Sequence, residues 1–367
     1  MKLDSSEARV VRQVLERPGM TRNELADAIR TGTATTAAIA RGLVERGALV
    51  ESGATPSTGG RPAARLFVSS DFGHCFSHQV IEGRLHSCAL DARGKILNRV
   101  DRPIDDVPSL IRGVDAAEME LSVKVPDGPP LASGIVVPGI VDRCTNTGEA
   151  HWLFGRDVIN PAGTANNSLV ISSAGCLTAM LEMGFNERFA GPWVSIDMAE
   201  GLSGLLLTRR CEAVPLHVTG LEPMPELVSK RSLFEAVDLA AVKKSSILGR
   251  KLATSKVPLS AVSAAVNEGD EVAATLVDEL VIATVEFIGS VVRTLRPLRL
   301  ILSSNLLDEA LGCEESFRTA LQRRGGLSGA AITLISPKAA IDQRFSGAAL
   351  AAFDIRLSEI EGRLPKR

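Results

Sequence analysis

Between Ser5 and Arg17 the apolar residues Val10, Val11, Val14 and Leu15 return at helical spacing, and Pro18-Gly19 stops the pattern. A second helix starts at Thr21, where the hydroxyl and Glu24 three residues on form a capping box and Leu25, Ala28 and Ile29 make one apolar face. After Thr31-Gly32 a third helix begins at Thr33, with Thr36, Ala40 and Leu43 on its inner side, and Gly47 ends it. Three short helices in succession predict a helix-turn-helix. The runs ALVESG (Ala48–Gly53) and ARLFV (Ala64–Val68) then predict the two strands of a wing.

Further along, short apolar runs alternate with longer helical periods: Leu169–Ser172, then Ala174–Phe185, then Trp193–Ile196. That alternation predicts an α/β body. With 367 residues, 45% hydrophobic and 23% charged, the chain can build two or three domains with real cores. The longest apolar stretch, Val272–Leu295, is broken by Asp278, Glu279, Glu286 and Arg293, and the start MKLDSSEARV lacks the apolar centre of a signal peptide. The expectation is a cytoplasmic protein. The six cysteines (Cys75, Cys88, Cys144, Cys176, Cys211, Cys313) show no CxxC and are expected to be reduced and mostly buried.

A formal net charge of −2 excludes a chain that is basic throughout, so contact with nucleic acid has to be local. Residues 1–68 carry ten basic and seven acidic side chains, a modest local excess. The candidate DNA contacts are Thr21 and Arg22 at the start of the second helix, Thr33, Ala34, Thr35, Ala37, Ala38 and Arg41 on the third, and Arg61. No residue among those at 33–38 is Arg, Asn or Gln, the side chains that bind bases bidentately, so discrimination leans on thymine methyls, phosphates or an element outside the helix. The stretch STGGRPAARLFV (Ser57–Val68) offers such an element. Its Gly-Gly pair strips side chains from the backbone, Pro62 extends the path, and Arg61 stands between them, as suits a guanidinium entering a narrow A·T-rich minor groove. The other reading is a hinge between reader and body.

The helix-turn-helix, Gly-Gly-Arg-Pro, a hairpin ending in ALDARGKIL (Ala89–Leu97) and VVPGIVD (Val136–Asp142) follow in that order. So do the helix AGCLTAMLE (Ala174–Glu182) and a late long helix feeding LRLILSS (Leu298–Ser304). This order resembles the repressor branch of the ROK family. The resemblance implies a winged helix-turn-helix over 1–68, a first lobe over 69–185 and a second lobe with the last helix over 186–367, the two lobes forming a sugar-kinase-like body of the actin/hexokinase type.

Departures from the family pattern carry the functional expectation. Where the active kinases of the family have an Asp-x-Gly-x-Thr phosphate hairpin, this chain reads QVIEGR (Gln79–Arg84). The glycine-rich phosphate loop is MAEGLSG (Met198–Gly204), in which Glu200 adds like charge, and the adenosine-side Gly-Gly is Ser303-Ser304. The family's sugar-binding Asn and catalytic Asp fall in the run Ser172, Ser173, Ala174, Gly175, Cys176, and the methyl of Ala174 cannot take a proton. The zinc cluster should lie between Leu216 and Glu235, which contain no cysteine. The resemblance thus implies no enzyme, no cofactor and no metal. It implies a DNA-binding transcriptional regulator of repressor type, a homodimer on double-stranded DNA with a pseudo-kinase body as sensor, whose small-molecule effector is not an ordinary hexose. The alternatives are a sugar kinase with a divergent site and a DNA binder that answers to no ligand. His151, Trp152, Asn160, Ser172 and Ser173 follow PGIVD in the region lining the family's sugar pocket and are the candidate ligand contacts, against a plain reading as surface loop and helix start.

One further cluster is HCFSHQVIEGRLHSC, a hairpin turning at Glu82-Gly83, in which His74, His78, His86 and Cys88 have one parity and are expected to share a face. Its spacing matches no zinc pattern, and a half-buried hairpin explains it equally well.

Overall fold

A computed structural model describes residues 2–54, 63–81, 83–125, 129–150, 157–181, 192–198, 203–207, 213–215, 247–254, 258–324, 327 and 329–363. The first helix, α1 (Ser5–Glu16), starts at a capping box: Asp4 accepts from the Glu7 N–H at 2.8 Å and Glu7 accepts from the Asp4 N–H at 3.1 Å. The helix α2 (Arg22–Ile29) starts at the Thr21–Glu24 box expected from sequence, and α3 (Thr33–Glu45) buries Thr36, Ala40 and Leu43. Strands β1 (Leu49–Ala54) and β2 (Ala64–Val68) pair antiparallel as a wing, in the register Leu49↔Val68. The link between α1 and α2 joins this wing. Gly19 N–H donates to Leu66 O and Leu66 N–H to Met20 O, each at 2.8 Å.

The body holds two five-stranded sheets of matching design. In the first, β3 (His74–Ile81), β4 (Arg84–Asp91) and β5 (Ile96–Pro103) form an antiparallel meander. The strands β6 (Ala132–Val137) and β10 (Leu169–Ser172) extend it in parallel, giving the order β10-β6-β3-β4-β5. Between β6 and β10 lies a small sheet of β7 (Ile140–Asp142), β8 (Thr147–Ala150) and β9 (Asp157–Ile159). The second large sheet centres on β11 (Trp193–Asp197), which pairs antiparallel with β12 (Ser203–Leu207) and parallel with β14 (Arg299–Ser303). Strands β13 (Ala213–Pro215) and β15 (Ala331–Ile335) lie at its edges. Each central strand thus has an antiparallel neighbour on one side and a parallel one on the other.

Helices close both sheets. In the first, Phe76, Val80, Leu85 and Ala89 meet α4 (Val107–Ser122) through Leu110, Val114, Ala117 and Leu121. In the second, Val194, Ile196, Leu300 and Leu302 meet the long helix α8 (Glu271–Leu295), which follows α6 (Ile247–Thr254) and α7 (Pro258–Asn267). A further helix, α9 (Glu314–Arg324), precedes β15. Among the described residues no helix is long and apolar enough to cross a membrane.

Between the sheets lie α5 (Ser173–Ala179) and the last helix, α10 (Pro337–Glu361). Although α10 follows the second sheet in sequence, it covers the first sheet: Phe345, Ala348 and Ala352 share a core with Cys75, Cys88, Leu90 and Val136. Its run SGAALAAF permits very close approach. A Cβ on Gly347 would fall inside the van der Waals envelope of the Cys176 carbonyl oxygen on α5, and one on Gly134 of β6 would stand 3.0 Å from Ala348 O.

One expectation needs correction. The register pairs His78 with Ser87 and Ser77 with Cys88, so His74 and His78 lie on the α4 face while His86 and Cys88 lie on the other. The turn has two residues, so equal parity on the two strands means opposite faces. Among the described residues no group of three His, Cys, Asp or Glu could hold a metal. Cys144 is exposed in the turn after β7, whereas Cys75, Cys88, Cys176 and Cys313 are buried. Burial pushes the Cys75 and Cys88 thiols up to about 12.

The close contact at Gly347 makes a direct test. Gly347→Ala should cost about 2 kcal/mol or more, since helix backbone must move to admit the methyl. Gly42→Ala in α3, with nothing within 4 Å of the added carbon, should be neutral or stabilising by up to about 1 kcal/mol. Urea unfolding of both variants measures the difference.

Candidate nucleic-acid interface and interlobe cleft

The inner side of α3 is fixed by Thr36, Ala40 and Leu43, so the 3.6-residue period turns Thr33, Ala34, Thr35, Ala38 and Arg41 outward, all exposed, with Ala37 half-buried at the edge. That face is smooth and carries one cation. Thr21 is occupied as the cap of α2, its hydroxyl accepting from Glu24 N–H at 3.3 Å. Arg22 reaches back to Glu51 of the wing at 2.6 Å, so its guanidinium braces β1 against α2. Arg61 lies outside the described residues. At the wing base Arg93, from the β4–β5 turn, donates to Val68 O at 2.6 Å and sits 5.7 Å from the centre of the Phe67 ring.

In the body, the carboxyl ends of β11 and β14 bring Asp197 beside Ser303, and those of β6 and β10 bring Val137 beside Ser172. Such strand ends are where open α/β sheets receive ligands. Ser172 caps α5, accepting from Gly175 N–H at 3.1 Å. Ser173 is buried with its hydroxyl unpartnered, and the same holds for Ser303. Ala174 is fully buried, and its carbonyl accepts from Ser195 of β11 and Thr178, each at 3.0 Å. Asn160 is exposed and accepts from Ala162 N–H at 3.0 Å, an Asx turn. His151, Trp152, Glu200 and the stretch 216–235 lie outside the described residues. In the PGIVD motif Asp142 holds a turn, accepting from Cys144 N–H at 2.7 Å and the Thr145 hydroxyl at 2.8 Å. Where a phosphate hairpin was sought, Gln79 instead donates to Ile341 O of α10 at 3.3 Å.

Two arrangements here were missed from sequence. Arg344 of α10 makes a bidentate pair with Asp197 at 2.7 and 2.9 Å, both side chains buried to 2% or less exposure, which ties the helix under the first sheet to the central strand of the second. The signal was present, since an arginine in RFSGAALAAF and an aspartate ending WVSID both stand in apolar runs and need partners. The second is a polar knot on the α4 face of the first sheet. Glu118 meets His78 at 3.1 Å, Asn166 at 2.6 Å and Ser133, which also meets Ser168 at 2.9 Å. Burial would raise the Glu118 carboxyl, but the hydrogen bond from His78 and those from Ser133 and Asn166 prevail and hold it below the usual range.

Neither a family model nor a curated protein matches the chain. Solved structures do. A ROK family transcriptional regulator, a homologue of the E. coli MLC protein, aligns with a TM-score of 0.70 and 14% identity over 98% of this chain and 100% of its own. The chain has the ROK fold. A ROK family glucokinase from Streptomyces griseus, solved with glucose and AMPPNP, gives a TM-score of 0.60 and 17% identity over 76% of this chain and 99% of its own. A ROK hexokinase from Thermus thermophilus gives 0.51 and 16% over 76% and 98%. The winged helix-turn-helix and the doubled sheet design are therefore the two parts of one ROK architecture, with Arg344–Asp197 lying between its lobes.

That pair sets a stability test. Asp197→Ala removes the carboxylate that neutralises a buried guanidinium and should cost about 3 kcal/mol or more, while Asp197→Leu combined with Arg344→Met should regain most of the loss. Denaturant unfolding of the single and double variants decides it: equal losses in both would deny the pair its role.

Proposed function

We propose that the protein is a ROK family transcriptional regulator that binds double-stranded DNA as a homodimer and uses its two-lobed body as a sensor. The observation that carries this reading is the reader itself. The kinase structures account for 76% of the chain, and the regulator structure for 98% of it. The reader also has the right surface: α3 presents Thr33, Ala34, Thr35, Ala38 and Arg41 to solvent. One such reader makes too few contacts for specific binding, so two are needed on half-sites a helical turn or more apart.

The division into a reader over 1–68 and lobes over 69–185 and 186–367 belongs to the same proposal. Against phosphoryl transfer stands Ala174, which offers a methyl where the resembled kinases have their catalytic base. The unpartnered hydroxyls of Ser173 and Ser303 suit an effector other than an ordinary hexose, with His151, Trp152, Asn160 and Ser172 as further contacts. Such a ligand acts by binding one lobe arrangement better than another, and a preference of about 1 to 2 kcal/mol changes operator affinity roughly five- to thirty-fold.

Selection of bound genomic fragments with the purified protein tests the reading, and recovery of a two-fold sequence is the expected result. On that operator Arg41→Ala should weaken binding at all sequences and lower the salt slope by about one per subunit. Arg61→Ala should cost about 1 to 3 kcal/mol, chiefly at A·T positions flanking the half-sites. Titrations at several salt concentrations measure both. No sugar should be phosphorylated with ATP; turnover that a cleft substitution abolishes would return the protein to the kinases.

A further inference from the structure

Among the described residues, two contacts that hold the reader to the body stand out. One is the wing base, where Arg93 meets Val68 O and Phe67. The other is broader: α1 lies along the end of α10. Ala8, Val11 and Leu15 share one core with Phe353 and Leu357, so apolar burial provides the contact. Burial of this kind is non-directional and tolerates some sliding and rotation. Direction comes from Arg12. Its Nε donates to Asp354 at 2.9 Å, its Nη2 meets Glu16 at 2.5 Å and its Nη1 lies 3.6 Å from Glu361. Glu361 also receives Arg9 at 3.6 Å and Arg363 at 2.8 Å, and its carbonyl accepts from the Ser5 hydroxyl at 3.1 Å. The Arg12 guanidinium is 15% exposed and planar, so three carboxylates from two helices fix its orientation, and with it the angle between α1 and α10.

We propose that Arg12 is a positioning residue for operator recognition. It touches no base or phosphate; it sets the angle at which each reader leaves the body, and so sets which half-site spacing a dimer accepts. This inference rests on the DNA-binding reading above. Its physical basis is the pitch of DNA, because each added base pair turns the second half-site by about 34° about the helix axis and moves it by about 3.4 Å. A reader fixed to the body cannot follow that rotation. One held by apolar contact alone can swing to meet it.

The test uses the full chain and a series of palindromes whose half-sites are moved apart one base pair at a time, with a single half-site as reference. Wild type should prefer one spacing and lose about tenfold or more in affinity two base pairs away from it. Arg12→Met keeps the length of the side chain and removes its charge. It should keep the single half-site affinity while its preference between the same spacings shrinks to about threefold or less. An unchanged spacing profile in this variant overturns the proposal. If Arg12→Met loses the single half-site as well, because α1 no longer folds, the combined Asp354→Asn and Glu361→Gln variant decides, since it leaves α1 untouched: a flattened profile supports the proposal and an unaltered one overturns it. A wild-type protein that selects no DNA sequence overturns the regulator reading, and this inference falls with it.

Discussion

The architecture depends on one close approach between backbones. Where α10 passes α5, Gly347 leaves no room for a side chain against the Cys176 carbonyl, and a Cβ on Gly134 of β6 would crowd Ala348 O at 3.0 Å. Only with those carbons missing can α10 lie deep enough between the sheets to reach several partners at once. At one end its Arg344 reaches Asp197 in the second sheet, in the middle Phe345 and Ala348 cover the first sheet, and at the other end Asp354 and Glu361 receive α1. Bulkier residues at these two positions would lift the helix, and the buried ion pair, whose geometry has to hold to tenths of an ångström, would be the first interaction to break.

Local signals were the ones legible in the sequence. The Thr21–Glu24 capping box, the inner side of α3 and the strand Leu169–Ser172 all lie where the pattern puts them, because caps and short apolar periods act over three or four residues. Pairing across strands was not legible. The parity of His74, His78, His86 and Cys88 gave the wrong face assignment because the faces depend on turn length, which periodicity within a strand does not reveal. The position of α10 was equally hidden, since nothing in a run of small residues says which sheet it will cover.

The candidate sites divide along the same line. The outward face of α3 follows from helical period alone, and Thr33, Thr35 and Arg41 are where that period sends them. Arg22, by contrast, resembles a phosphate contact in sequence yet is engaged by Glu51, a partner 29 positions away across the wing. In the body, Asp197 and Arg344 are joined across 147 positions, and the knot around Glu118 draws on α4, β3, β6 and the segment before β10. The ion pair joins the two sheets and the knot ties α4 to the first of them, and each becomes recognisable only when its distant partner is known.

The bond between Arg12 and Asp354 spans 342 positions, and that separation governs the order in which the molecule can be completed. Loop closure over such a length is only moderately costly, since each doubling adds about 0.6 kcal/mol, but non-local contacts of this kind form slowly. During synthesis the first sheet emerges long before residues 337–361, and until they arrive the face holding Cys75, Cys88, Leu90 and Val136 lacks its cover while α1 lacks its seat. A growing chain therefore passes through a stage in which an apolar sheet face is open to water and to neighbouring chains, the condition in which larger proteins aggregate or rely on chaperones. The helix that sets the arrangement of the finished molecule is thus also the one that ends its most vulnerable period.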